Sequence, residues 1–423
     1  MPLASLLRVD DGQGRVAGDS TLPDGVCEGT SLRDAYVSTH TPLIMGYLSP
    51  SVSFARSGSF YLSTSSRNRY PSAMSSGSAK MPYVRLGNSG LKISKIILGT
   101  MQYGHTGWNA WVLGEDEAVE HIKFAYENGI QTFDTANVYS NGLSEVILGN
   151  AIKKLKLPRE ELVIMTKLHG VVAPEYGRNL MREGVNPDDI HLVNQYGQSR
   201  KHIFASVKAS LERLQVEYID LLQCHRFDHN TPIEETMQAL HDVVKAGYVR
   251  YIGMSSCWAY QFHAMQNYAI THNLTPFISM QNHYSLVYRE EEREMFPTLK
   301  LFGVGSIPWS PLARGLLARP LSAQKDTKRG SSDMFIGAYN KEGSGTPEIL
   351  KRVEELAKKK GVTMAQISIA WILSKEGVSA PIVGTTSLDN LKDIIAGVHV
   401  KLTADEIKYL EEPYTPLPIN GHS

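Results

Sequence analysis

The 423-residue chain has little cysteine, no excess of charge and no long apolar run. Its three cysteines form no CxxC pair, which argues against a disulfide-stapled secreted protein and against a zinc ribbon. Lys and Arg together number 43, as do Asp and Glu, so no electrostatic attraction to nucleic acid or to an anionic membrane is expected. The sequence contains no stretch of about 18 apolar residues, so it predicts no transmembrane helix. We expect a globular protein of a reducing compartment, the cytosol.

The first 80 residues differ in composition from the remainder. They contain 16 Ser and show no sustained apolar period, so they bury too little surface to offset their ordering entropy. A secretory signal is not predicted, because the short apolar start is followed at once by Asp10 and Asp11. We predict a disordered Ser-rich extension over residues 1–80 and a folded domain over residues 81–423.

Eight short apolar runs recur along that domain. Each is too short for a helix and nearly continuous in apolar character, as expected for strands buried on both faces of a parallel sheet. The runs cover residues 95–99, 131–136, 162–167, 218–226, 249–256, 277–284, 304–311 and 380–385.

Amphipathic helical patterns alternate with these runs. The clearest cover residues 115–129, 144–155, 200–214, 233–247 and 362–377, and Ser144 is the expected N-cap of the second. Two intervals are longer, near 169–199 and 319–347. Eight strand–helix units predict a (β/α)8 TIM barrel with two long loops at its C-terminal face. A doubly wound sheet is the competing fold, but it usually carries a GxGxxG turn, and none is present.

Polar residues follow most of the predicted strands. In a barrel, the C-terminal strand ends meet at one mouth, where active sites lie. There Asp134, Tyr139, Lys167 and His225 form a chemically coherent set. An ammonium near a phenol favours the phenolate and brings its pKa toward neutrality, and a buried ammonium needs a carboxylate partner. An imidazole can orient a substrate oxygen, so the set can deliver a proton to a carbonyl oxygen.

The stretches FDTANVYSNGLSE, IMTK, DLLQCHR and PWSPLARGLL resemble the aldo-keto reductase superfamily over residues 83–412. The chain resembles in particular the fungal aryl-alcohol dehydrogenases and versiconal hemiacetal acetate reductases of secondary metabolism. The resemblance implies reduction of an aromatic or polyketide-derived aldehyde or ketone with NADP(H). It also implies that Asp134, Tyr139, Lys167 and His225 are the catalytic tetrad.

By resemblance, NADP(H) lies extended across the barrel mouth. Gly384, Thr385, Thr386 and Asn390 would surround the 2′-phosphate, although that segment lacks the Lys and Arg that many members use. The remaining expected cofactor residues line the nicotinamide and the pyrophosphate: Gly99, Thr100, Asp134, Ser255, Ser256, Gln281, Trp309, Ser310, Leu312, Arg314 and Gly315. Tyr139 and His225 would contact the substrate, and Trp108 and Trp111 either line an aromatic substrate pocket or pack under their loop.

Other interpretations remain open. Asp134 and Lys167 alone could be a structural ion pair. Lys167 could form a Schiff base if its pKa were depressed in an apolar pocket. The same fold also serves as a non-catalytic NADP(H)-binding, redox-sensing subunit. We expect Cys224 to be a packed core thiol, and Cys257 lies near the expected cofactor site without a helper base. No metal site is expected, since the histidines lack ligand spacing.

Overall fold

The computed structural model of the protein describes residues 80–324, 336–339 and 343–422. The predicted disordered extension over residues 1–80 therefore lies outside the described residues, apart from Lys80. Part of the second long loop lies outside them as well. The statements below concern the described ranges.

Eight parallel strands form the central sheet, and their order follows the chain without reversal. This order excludes the doubly wound alternative, in which the strand order reverses. The last strand pairs with the first, and the Ile382 amide donates to the Pro308 carbonyl at 2.8 Å, which closes the sheet into the predicted (β/α)8 barrel. The strands are β3 (Ile97–Gly99), β4 (Thr132–Asp134), β5 (Val163–Leu168), β6 (Ile219–Cys224), β7 (Val249–Ser255), β8 (Phe277–Gln281), β9 (Gly305–Ser306) and β10 (Ile382–Val383).

A short antiparallel hairpin, β1 (Tyr83–Arg85) and β2 (Lys92–Ser94), precedes the barrel and was not predicted. Leu86 and Ile93 of this segment share a buried cluster with Met165 of β5 and Leu221 of β6. The hairpin thus covers the end of the barrel opposite the C-terminal strand ends. Each strand has only three residues, which is too short for an alternation of apolar and polar residues to predict a strand pair.

Helices pack around the barrel, and all five predicted helices are confirmed. Four agree with their predicted bounds to within two residues, and the fifth ends four residues earlier than predicted. The helices are α1 (Glu115–Glu127), α2 (Leu143–Lys154), α3 (Leu180–Glu183), α4 (Arg200–Leu214), α5 (Ile233–Lys245), α6 (Ala259–Thr271), α7 (Met295–Phe302), α8 (Thr346–Lys360), α9 (Met364–Leu373), α10 (Leu388–Ala396) and α11 (Ala404–Glu411). In the described ranges, none of these helices has the length and apolar character needed to cross a membrane.

The predicted N-cap of α2 is wrong. Gly142, with φ of +93°, precedes the helix, and Ser144 lies inside its first turn. The Ser144 hydroxyl instead donates to the Thr100 carbonyl at 2.8 Å, and it lies 3.0 Å from the Thr135 hydroxyl. The serine therefore ties α2 to the ends of β3 and β4, a tertiary role that local sequence does not reveal.

The first long loop, between β5 and α4, has its own small core. Ala173, Leu180 and Leu192 form a buried cluster, and α3 lies within it. Asn141 fastens this loop to the barrel mouth, because its side-chain amide donates to the Glu175 and Arg178 carbonyls at 2.8 and 2.7 Å. The loop is therefore held beside the C-terminal strand ends.

Candidate active site

Asp134, Lys167 and Tyr139 meet inside the barrel mouth. Asp134 ends β4, and Lys167 lies on the neighbouring β5 with its side chain fully buried. The Lys167 ammonium donates to the Asp134 carboxylate at 2.5 Å and to the Thr135 carbonyl at 2.8 Å. Its third contact is the Tyr139 hydroxyl oxygen at 3.3 Å. The ammonium therefore connects the carboxylate to the phenol.

The charged form of Lys167 is favoured at this site. Burial acts to lower the pKa of Lys167, but the Asp134 carboxylate and the Tyr139 phenol oppose it, and the net pKa is raised. A Schiff-base lysine requires the opposite shift. The geometry therefore supports an electrostatic role for this ammonium rather than a nucleophilic one.

Two glutamine amides complete the surroundings of Asp134. Gln223 of β6 and Gln281 of β8 each donate to its second oxygen, at 3.0 and 2.9 Å. Gln281 also donates to the Gln223 carbonyl oxygen at 2.8 Å. Both carboxylate oxygens thus have donors, which fixes the orientation of Asp134 toward Lys167. Gln223 was missed by sequence analysis, because a single amide within an apolar strand carries no distinguishing pattern.

Tyr139 sits on a tightly constrained turn. The next two residues, Ser140 and Asn141, have φ of +46° and +51°, a region that non-glycine residues seldom adopt. A Cβ on Gly104 would come within 2.0 Å of the Ser140 hydroxyl, so only glycine fits against this turn. Such strain persists where surrounding contacts hold it, and it is frequent at functional sites.

His225 follows β6 and faces Tyr139. Their rings make an edge-to-face contact with centroids 5.9 Å apart. Burial lowers the pKa of His225 well below its usual value, and the positive charges of Arg226 and Lys167 lower it further. The imidazole is therefore neutral near pH 7 and offers one N–H donor.

A single cavity of about 800 Å³ joins the predicted residues, and its size lies within the usual range for ligand sites. Of the predicted catalytic and cofactor residues, Lys167 lies behind its wall and Ser256 beside it. All the others line it: Gly99, Thr100, Asp134, Tyr139, His225, Ser255, Gln281, Trp309, Ser310, Leu312, Arg314, Gly315, Gly384, Thr385, Thr386 and Asn390.

Trp309 is held in a defined orientation at the cavity wall. Its indole N–H donates to the Ser256 hydroxyl at 2.9 Å. One face of the ring stacks on the buried His283, with centroids 4.1 Å apart and planes inclined by 11°. Gly421 of the C-terminal segment lies against the edge of the indole ring. The arrangement leaves the other ring face as the one available for stacking on a planar ligand.

The two tryptophans among the four predicted substrate residues have different positions. Trp111 lines the cavity. Trp108 does not, but its ring is tilted over that of Tyr139 with centroids 6.4 Å apart. The structure thus brings Trp111 to the ligand space and leaves Trp108 behind the phenol.

Other residues of the cavity wall suit phosphate groups. Arg314 and Arg319 supply positive charge to the wall, and the hydroxyl and amide groups of Thr385, Thr386 and Asn390 supply donors. Gly384 packs against Gln102, whose side-chain oxygen would lie 2.6 Å from a Cβ at that position. Arg319 was missed because it lies beyond the recognisable motif. The residues present therefore fit an elongated nucleotide.

The described cysteines and histidines give no sign of thiol or metal chemistry. Burial raises the pKa of Cys224 to about 12 and that of Cys257 well above its usual value, which disfavours a reactive thiolate. Among the described residues, no group of three or more His, Cys, Asp or Glu side chains is arranged to hold a metal ion.

Comparisons with known proteins agree with this geometry. Residues 95–414 match the model of the aldo/keto reductase family. The versiconal hemiacetal acetate reductase of Aspergillus parasiticus is 49% identical over 344 residues, covering 80% of this chain and 99% of that protein. A putative aryl-alcohol dehydrogenase of Schizosaccharomyces pombe is 50% identical over 345 residues, covering 80% and 97%. An aldo-keto reductase of Metarhizium robertsii is 46% identical over 350 residues, covering 81% and 94%.

The chain belongs to the aldo/keto reductase family. This membership confirms the resemblance drawn from the sequence motifs. It places the protein among oxidoreductases that act on carbonyl groups and that generally use NAD(P)H.

Proposed function

We propose that the protein reduces an aldehyde or ketone to an alcohol with NADPH, and that Tyr139 is the general acid. The observation that carries this proposal is the position of the Tyr139 hydroxyl, 3.3 Å from a buried ammonium and in the same cavity as His225. Bound NADPH would supply the hydride, from nicotinamide C4 to the carbonyl carbon. The remaining steps belong to side chains of this chain.

Each member of the tetrad has a distinct task in this proposal. Tyr139 gives its proton to the carbonyl oxygen as negative charge develops there, and Lys167 stabilises the phenolate that remains. Asp134 keeps Lys167 charged and in place. Neutral His225 donates its N–H to the same carbonyl oxygen and orients it. Positioned acid–base catalysis of this kind contributes about 10²–10⁴-fold to a rate.

The cofactor would be held from both ends of the cavity. Because both N–H groups of the Gln281 amide are engaged by Asp134 and Gln223, its carbonyl oxygen is the group left to accept from the carboxamide. Trp309 would stack on the nicotinamide, and Ser255 and Ser256 lie beside it. Arg314 and Arg319 would neutralise the pyrophosphate, in the stretch that also contains Ser310, Leu312 and Gly315.

Preference for NADPH over NADH rests on the end of the cavity near α10. Ser387 caps this nine-residue helix, and Thr385, Thr386 and Asn390 present polar groups at its N-terminus, where anions are stabilised. The test compares kcat/KM for NADPH and NADH in the unaltered protein and in Asn390→Ala. We expect a higher value for NADPH that falls in the variant, and equal values would contradict the preference.

An aromatic or polyketide-derived substrate fits the cavity wall near Trp111. Two similar proteins carry names that refer to an aryl alcohol and to versiconal hemiacetal acetate. We propose the cytosol as the location, since the two described cysteines are buried free thiols. Imaging of a fluorescent fusion tests this, and an organellar signal would contradict it.

The direct test follows NADPH consumption with a panel of aromatic and aliphatic aldehydes. Turnover that is lost in Tyr139→Phe, with NADPH binding retained, supports the reductase. NADPH binding without turnover of any carbonyl would favour the non-catalytic, redox-sensing subunit instead. Borohydride trapping of a substrate on Lys167 would support the Schiff-base alternative.

A further inference from the structure

Arg226 stands out as a cation at the reacting end of the cavity that the proposed chemistry does not use. It follows His225 directly after β6, is partly buried and lines the cavity with Tyr139. One of its guanidinium nitrogens donates to the His225 carbonyl at 2.5 Å. In the part of the chain that the structure describes, no carboxylate forms an ion pair with it.

Three other partly buried arginines of this chain have carboxylate partners. Arg159 donates to Asp220 at 2.6 Å, Arg213 to Glu145 at 2.6 Å, and Arg289 to Glu292 at 2.8 Å. A cation withdrawn from water is costly unless it is paired. The contrast indicates that the partner of Arg226 is a group that enters the cavity.

The electrostatic neighbours of Arg226 locate it at the catalytic end. Burial lowers the pKa of Arg226, and the groups that oppose this effect are the Tyr139 phenol and the Cys257 thiol. Arg226 in turn lowers the pKa of His225. Arg226 therefore lies beside Tyr139 and His225, the two residues expected to meet the reacting carbonyl.

We propose that Arg226 is a specificity-determining residue that pairs with an anionic oxygen substituent, a carboxylate or an ionised phenol, on the carbonyl substrate. The inference rests on the proposed carbonyl reduction, because it places the anion on the molecule whose carbonyl meets Tyr139 and His225. A planar guanidinium fork matches the two oxygens of a carboxylate, and charge-assisted hydrogen bonds are stronger than neutral ones.

The first test measures kcat/KM for the three ring isomers of formylbenzoate and for the matching neutral carbamoylbenzaldehydes. We expect the unaltered protein to prefer at least one formylbenzoate over its amide. In Arg226→Met, kcat/KM for that anion should fall about 10- to 100-fold, the worth of a charge-assisted hydrogen bond. The amide should lose less than about threefold. Arg226→Lys should fall between, because it keeps the charge and loses the fork.

Hydroxybenzaldehydes and methoxybenzaldehydes distinguish the two anion sources. An effect of Arg226→Met that grows as the phenol ionises would assign a phenolate, and an effect confined to formylbenzoates would assign a carboxylate. Arg200→Met is the matched control, since Arg200 lies on the exposed start of α4. Equal losses for charged and neutral aldehydes, or no preference for anions in the unaltered protein, would overturn the proposal.

Equilibrium binding separates this proposal from the proposed function. Calorimetric titration of benzoate and benzamide into the full chain with NADPH needs no turnover. Benzoate should bind more tightly by about tenfold or more, and Arg226→Met should remove that difference. If no aldehyde is turned over, the reductase assignment fails. The benzoate titration still shows whether Arg226 binds an anionic ligand. Equal binding of the two ligands would refute the anion site.

Discussion

Two ion pairs lie on opposite faces of β5, one including Lys167 and the other in contact with the preceding Thr166. Lys167 points into the barrel and pairs with Asp134 at 2.5 Å. Thr166 points outward, and its hydroxyl donates at 2.5 Å to Glu145, which pairs with Arg213 at 2.6 Å. The alternation of side chains along a strand is what separates them. Both acids are almost fully buried, so burial alone does not distinguish the two sites.

The difference lies in what surrounds each pair. The inner pair adjoins a phenol and a cavity that also contains a neutral imidazole. The outer pair joins α2 to α4, and neither Glu145 nor Arg213 lines that cavity. A buried ion pair is therefore weak evidence of function by itself. It gains functional meaning when a group that can transfer a proton is in contact with it and a ligand can reach that group.

The largest expected effect is the loss of proton transfer at the inner site. Tyr139→Phe should lower kcat about 10²–10⁴-fold, because the variant loses the hydroxyl proposed to protonate the carbonyl oxygen. The dissociation constant for NADPH should change little. Tyr126→Phe is the control, since its hydroxyl bonds to Glu161 away from the cavity. Turnover near that of the unaltered protein would contradict the assignment.

Removal of the Lys167 ammonium should also impair proton transfer from Tyr139. Lys167→Met should lower kcat to a similar degree and should alter its pH dependence, since the phenolate loses its stabilising cation. The measurement is a pH–rate profile beside that of the unaltered protein. A profile of unchanged shape, merely scaled down, would mean that Lys167 only supports the fold.

The outer pair should govern stability without affecting chemistry. Glu145→Gln leaves Arg213 without its carboxylate, and breaking a buried pair costs about 3 kcal/mol of unfolding free energy. Urea unfolding measures this cost, and kcat per folded molecule should stay within about twofold. A large loss of kcat with normal stability would contradict the comparison between the two pairs.

The smallest effect concerns acid stability at the mouth. Burial and Arg314 lower the pKa of His283 to about 3, whereas the unfolded chain titrates near 6.5. Below about pH 6.5 the unfolded state therefore binds more protons than the folded state. As the pH decreases, this group lowers the free energy of unfolding by up to about 1.4 kcal/mol per pH unit. His283→Gln should make the fall shallower by up to that amount, measured by urea unfolding between about pH 5 and about pH 6.5. An unchanged slope would refute it.

Much of the site was predictable because the C-terminal strand ends of a barrel meet at one mouth. Asp134 and Lys167 each close an apolar run, and parallel strands bring such ends together. His225 follows the same rule, and Tyr139 lies one short turn beyond β4. Family membership confirms the barrel, while the residue roles stay predictions that the variants above test.

Other parts depend on contacts that local sequence does not encode. Asn141 attaches the first long loop from the turn beyond β4, and the register between strands brings the amides of Gln223 and Gln281 to Asp134. The hydroxyl of Ser144 fits an N-cap pattern equally well, and only the tertiary structure shows that it bonds to Thr100. The C-terminal segment is another case, since the His422 imidazole reaches the Glu291 carboxylate at 3.0 Å from over a hundred residues away.

A double-mutant cycle in kcat tests most directly whether the inner pair works through the phenol. The variants are Tyr139→Phe, Lys167→Met and their combination, with Tyr139→Phe combined with Glu145→Gln as the matched control. If Lys167 acts by stabilising the Tyr139 phenolate, the first double variant should be no slower than its slower single variant, because the step is already lost. Two losses that multiply would contradict the account, since they would mean that Lys167 and Tyr139 act independently.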